Sequence, residues 1–201
     1  MKTITNMKNI IKKSQENSIS YDQYKQLVID LFQQGQSTTK NGSGALVDYT
    51  KLNISRMKRL DKTTVLPEEV IERVKSIDKK IEWLVLSEGW CGDAAQNLPI
   101  INAVAKLNDK IDLKIVLRDQ NSELMDQFLT NGGQAIPKLI QLENDNVTAT
   151  WGPRPTIAAN MVRDYKAKHG SLSSEFKKDL QVWYNQDKAQ NLLEDLMEIL
   201  N

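Results

Sequence analysis

The sequence predicts an α/β protein: a central mixed β-sheet flanked by helices, with a helical N-terminal extension and a long C-terminal helix. Three observations carry this. The first 80 residues place most of their apolar side chains at helical spacing. From Ile81 the pattern changes to short apolar runs and helical segments, in the order strand, helix, strand, helix, strand, strand, helix. The last segment, Ser173 to Leu200, is long and amphipathic.

In chain order, Tyr24, Leu27, Val28, Leu31 and Phe32 define a helix over Tyr21–Gln34, with Ser20 as N-cap and Gly35 as stop. Ser37 to Gly44, STTKNGSG, is small, polar and glycine-rich, and reads as a loop. Leu52, Met57 and Leu60 mark a helix near 48–60, and Pro67 opens another with acids early and bases late. IEWLVLSE, Ile81 to Glu88, is an almost unbroken apolar run, as a buried central strand requires. Leu98, Ile101, Val104, Ala105 and Leu107 share one face of the next helix. Ile111 to Leu117 is a second strand, and Asn121 to Leu129 a short helix. LIQLE after Pro137 and NVTATW after Asn144-Asp145 form a hairpin. From Thr156 the chain is helical, with a break at His169-Gly170-Ser171. The first two strands and their helix make a right-handed parallel crossover, and the last pair is antiparallel. The expected divisions are an extension over 1–80, a core over 81–168 and the C-terminal helix over 169–201. The 37–44 loop is short and falls between helices, so the three read as one continuous domain.

At 201 residues the chain can bury a core without metal or disulfide staples. Lysine plus arginine is 27 against 26 acids, a balance that argues against a dedicated nucleic-acid binder. A single cysteine excludes an internal disulfide and four-thiolate zinc or iron–sulfur sites. One histidine and dispersed acids define no metal site, and no glycine loop of the phosphate-binding type is present, so no cofactor is expected. No stretch reaches the roughly 18 apolar residues that span a bilayer. The expectation is a soluble cytoplasmic protein in a reducing compartment, with no nucleic-acid or membrane partner, as a monomer or homodimer.

The lone cysteine stands in Gly89-Trp90-Cys91-Gly92-Asp93-Ala94-Ala95, at the end of the first strand and the start of a helix. There, unpaired backbone N–H groups and the helix dipole favour a thiolate. Pro99 follows eight residues later, Asp119-Gln120-Asn121 follows the second strand, Ile136-Pro137 precedes the hairpin and Gly152 closes it. In this register the segment from about 80 to 168 resembles the thioredoxin superfamily. More narrowly, the WCGDA variant resembles an uncharacterised bacterial branch of thioredoxin-like proteins. The resemblance implies a cis-proline at Pro137 lying against Cys91, and backbone groups of Ile136 that pair with an extended substrate. It also implies a Trp90 ring that shields the sulfur, and makes Trp90, Gly92, Asp93, Ile136 and Pro137 the substrate-binding set around a catalytic Cys91.

Departures from the family pattern bear on the chemistry. Ala94 replaces the resolving cysteine, Val85 takes the place of the family's buried acid, and Asp93 replaces the usual proline. Both parts of the resolving step are therefore absent together. Asp93 reads as a helix-start carboxylate serving backbone donors, which also opposes a thiolate nearby. Arg154, between two prolines, reads as a surface loop residue. Two functions stay open. Cys91 can act as a monothiol, forming mixed disulfides with a protein substrate that a low-molecular-weight thiol such as glutathione resolves. Alternatively, the cleft is a peptide- or protein-binding module whose redox chemistry is lost.

Overall fold

The computed structural model describes residues 2–42 and 44–201. Four helices come first: α1 (Lys2–Glu16), α2 (Tyr21–Gln33), α3 (Gly44–Thr63) and α4 (Glu68–Lys75). Next come β1 (Ile81–Ser87), α5 (Gly92–Ala105), β2 (Ile111–Leu117), a 3₁₀ turn at Arg118–Gln120 and α6 (Ser122–Gln127). The hairpin β3 (Lys138–Glu143) and β4 (Asn146–Trp151) leads into α7 (Thr156–His169), α8 (Ser174–Asp187) and α9 (Gln190–Ile199). The sheet order is β2-β1-β3-β4, with β1 parallel to β2 and antiparallel to β3. This is a mixed sheet flanked by helices, with helical regions at both ends, the α/β arrangement that the sequence predicts.

Local chemistry accounts for the boundaries. Ser20 caps α2 through a capping box: its hydroxyl accepts the Gln23 N–H, and the Gln23 side chain accepts the Ser20 N–H at 2.8 Å. Asn144 and Asp145 take φ of 48° and 60°, the left-handed pair that a tight hairpin turn needs. Trp83, Leu84, Val85 and Leu86 are fully buried in β1, as the apolar run requires. Val85 is thus an ordinary core side chain.

The C-terminal segment departs from one long helix. Lys188 and Ala189 both adopt left-handed backbone, with φ of 51° and 68°, and divide it into α8 and α9. The amphipathic pattern persists across the break, so periodicity alone does not reveal it. The turn serves two cores. Leu192, Leu193 and Leu196 of α9 join the main core with the sheet, α5 and side chains of α1 to α4. Phe176, Leu180 and Tyr184 of α8 form a separate small cluster with Ala158 and Val162 of α7. Among the described residues, no helix is long and apolar enough to cross a membrane.

Candidate thiol site

Strand β1 ends against a glycine turn that places Cys91 as the N-cap of α5. The Cys91 N–H donates to the Glu88 carbonyl at 3.1 Å, closing the turn. A Cβ on Gly89 would stand 2.9 Å from a Val28 methyl, so α2 can pack there only against glycine. The Ala94 N–H donates to Cys91 Sγ at 3.4 Å, and the thiol donates to the Ile136 carbonyl at 3.3 Å. The Ile136–Pro137 peptide is cis. Gly152, at φ 113°, brings the end of the hairpin onto Pro137; a Cβ there would lie 2.2 Å from the Pro137 carbonyl oxygen. Cys91, Ile136 and Pro137 therefore meet at the amino end of α5.

The thiol is covered. Cys91 is 8 % exposed. Burial, reinforced by the Asp93 carboxylate, pushes its pKa up to about 12, against the pull of the Ala94 and Asp93 amides and of Arg154. In this conformation the sulfur is a protonated thiol that donates to a carbonyl.

One wall of the site is ionic. Asp93 Oδ2 pairs with Arg154 Nη2 at 2.6 Å, and Oδ1 accepts the Tyr184 hydroxyl at 3.0 Å. Asn97 Nδ2 donates to the Asp93 carbonyl at 2.7 Å and to the Tyr184 oxygen at 3.3 Å. Burial raises the Asp93 pKa, while Arg154 and the Tyr184 hydroxyl lower it. Asp93 thus holds side chains from outside its helix, which corrects the expectation that it serves backbone donors. Arg154 is not a surface loop residue: it reaches across the cleft to Asp93, and its buried Nε has no partner among the described residues. Above Gly92, Arg56 Nη1 and Gln181 Nε2 both lie 3.5 Å from where a Cβ would be. Asn53 orients Arg56 at 2.8 Å and itself donates to the Gly89 carbonyl at 2.9 Å. Gln96 donates to Gln181 at 3.0 Å. Helices α3 and α8 thereby roof the start of α5.

The opposite wall comes from the N-terminal extension. Glu88, fully buried, accepts the Thr38 hydroxyl and, at 3.0 Å, the Asp119 N–H. Thr38 in turn accepts the Gly89 N–H at 3.0 Å. Burial is the main cause raising the Glu88 pKa. Trp90 Nε1 donates to Thr39 at 2.7 Å, Thr39 donates to Asp119 at 2.6 Å, and the Arg118 guanidinium stands 5.1 Å over the Trp90 ring. Arg118 also donates to Asp119 at 2.7 Å. The loop that composition marks is partly buried at Ser37 and Thr38, and its Thr39 clamps Trp90.

All six residues singled out from sequence (Trp90, Cys91, Gly92, Asp93, Ile136 and Pro137) lie along this turn and the cis-proline loop beside it. Sequence reasoning missed Glu88, Thr38, Thr39, Arg56, Arg154, Gln181 and Tyr184. Only Glu88 left a signal, as an acid closing an apolar strand. Among the described residues no group of histidine, cysteine and acids is placed to hold a metal ion.

The sequence profile of a family described as Thioredoxin matches residues 40–166. No curated protein matches the chain. Two solved structures share the fold. A Pseudomonas aeruginosa protein of unknown function is 18 % identical with a TM-score of 0.56, over 90 % of this chain and 97 % of that one. An HIV epitope-scaffold is 19 % identical with a TM-score of 0.57, over 86 % and 96 %.

Proposed function

Because the chain belongs to the thioredoxin family, we propose that Cys91 is a latent monothiol that exchanges disulfides once the cleft opens. The observation that carries this is the Cys91 thiol at the tip of α5, 3.3 Å from the Ile136 carbonyl beside the cis Pro137. In the closed state that carbonyl accepts the thiol. An incoming extended chain that pairs with Ile136 would take the carbonyl and release the sulfur.

The exchange is written as two balanced steps. Cys91 thiolate attacks a substrate disulfide R–S–S–R′, the S–S bond breaks, and Cys91–S–S–R forms with R′S⁻ leaving. A small external thiolate then attacks the mixed disulfide, restores Cys91 thiolate and carries R away as a disulfide. Ala94 supplies no internal thiol for the second step, so the external thiol is a required reactant. Asp93 opposes the thiolate while it is ionised, and Arg154 and the α5 amides favour it. A reducing, cytoplasmic setting that supplies small thiols is part of this reading.

The test mixes the protein with a glutathionylated peptide and excess reduced glutathione, and follows peptide release. Faster release than with Cys91→Ser, together with a Cys91–glutathione adduct in intact mass, supports the reading. Equal rates and no adduct would leave the cleft as a binding surface only.

A further inference from the structure

Tyr184 and Asn97, which hold Asp93, also line a cavity of ≈ 540 Å³ bounded by α3, α5, α8 and α9. Small-molecule sites commonly enclose about 300–1,000 Å³. Its apolar wall is Leu60, Ile100, Leu192 and Leu193, and its edge includes Val65, which is 86 % exposed.

Four observations give the cavity a chemical preference. Arg59 lines it and is held by the neutral Asn185 carbonyl at 2.8 Å, so its charge is not cancelled there. Lys188 adds a second cation. The one acid in the lining, Asp187, accepts the Asn191 N–H at 3.2 Å and keeps its charge, so the lining holds two cations against one anion. Finally, Asn97 is 1 % exposed and uses both Nδ2 hydrogens, while its carbonyl oxygen accepts no hydrogen bond among the described residues. That oxygen keeps some access to solvent, so it can accept a ligand N–H or O–H at the cavity wall.

We infer that this cavity binds a small anionic amphiphile. The carboxylate or sulfonate lies against Arg59 and Lys188, a donor group meets Asn97, and an aromatic or aliphatic body covers the four apolar side chains. The site is distinct from the thiol cleft but shares Tyr184 with it. A ligand that fixes Tyr184 also fixes its bond to Asp93, and so holds α8 over Gly92.

The probe is 8-anilinonaphthalene-1-sulfonate, which carries a sulfonate, one N–H and an aromatic body. Titrated into the full native chain, it gives a saturable single-site signal and raises the melting temperature. Arg59→Gln weakens binding about tenfold, and Thr63→Trp, which fills the cavity from the end of α3, abolishes it. At saturation, alkylation of Cys91 by iodoacetamide slows several-fold. No saturable binding, a lowered melting temperature from preference for the unfolded chain, or unchanged affinity in both variants would each overturn the site. Saturation without slower alkylation overturns its link to the thiol. The Cys91→Ser protein gives the same titration, so the result stands apart from the monothiol chemistry.

Discussion

The two walls of the thiol cleft are built differently. On the extension side, Thr38, Glu88 and the Asp119 amide form a buried network under Trp90, beside Val28 and Tyr24 of the main core. On the far side, α8 keeps its apolar residues for a small cluster with α7 and meets α5 through polar pairs: Tyr184 with Asp93, Gln181 with Gln96. Gly170 at φ 76° ends α7 just before the Ser173 cap of α8, and the left-handed pair Lys188–Ala189 follows α8. Both walls are hydrogen-bonded, but the first is backed by apolar burial in the main core, whereas α8 buries its apolar residues against α7. The first wall is therefore expected to stay fixed, and the second to be the part that swings.

Breaking the fixed wall has the largest expected effect. Glu88→Ala leaves the Thr38 hydroxyl and the Asp119 N–H without their acceptor, and should lower unfolding free energy by about 3 kcal/mol in urea melts. A loss below about 1 kcal/mol would show that this wall is no firmer than the other.

The contrast sharpens in the accessibility of the thiol. A pKa of about 12 in place of 9.0 lowers the thiolate fraction near neutral pH by about a thousandfold, so the wild-type protein should alkylate very slowly. Tyr184→Phe removes two hydrogen bonds, the one to Asp93 and the one from Asn97, together worth about 2 kcal/mol, and should raise the iodoacetamide rate several-fold with a smaller loss of stability than Glu88→Ala. Thr38→Val, on the fixed wall, should lower stability without raising that rate. The reverse pattern would assign the moving part to the extension.

A smaller effect probes charge. The Asp93 carboxylate is the second cause of the raised Cys91 pKa, after burial. Asp93→Asn removes that anion, so the thiolate costs less and the alkylation midpoint should move below that of the wild-type protein. The shift is partial, because burial remains. A midpoint that stays put or rises would show that Asp93 acts on access and not on charge.

The order of elements along the chain, the Ser20 N-cap of α2 and the place of Cys91 at a helix start were legible because each depends on neighbours within a few residues. The cleft was legible through the family resemblance that Cys91, Pro137 and Gly152 carry. Other features gave no local sign. Thr38 lies 50 residues from Glu88, and Tyr184 lies 91 from Asp93, so neither pairing leaves a periodic trace. The break at Lys188–Ala189 carries no glycine or proline, and the amphipathic pattern runs through it.

By itself, the sequence determined the four strands and most of the helices, that one thiol begins a helix, and that no second thiol stands ready to release what it binds. Only the tertiary structure decided that the thiol is buried against Ile136, which acid is shielded by which helix, and that α8 roofs the site. Backbone preference and apolar period act over a few residues, whereas burial and polar pairing depend on what the rest of the chain brings within 3 Å or so.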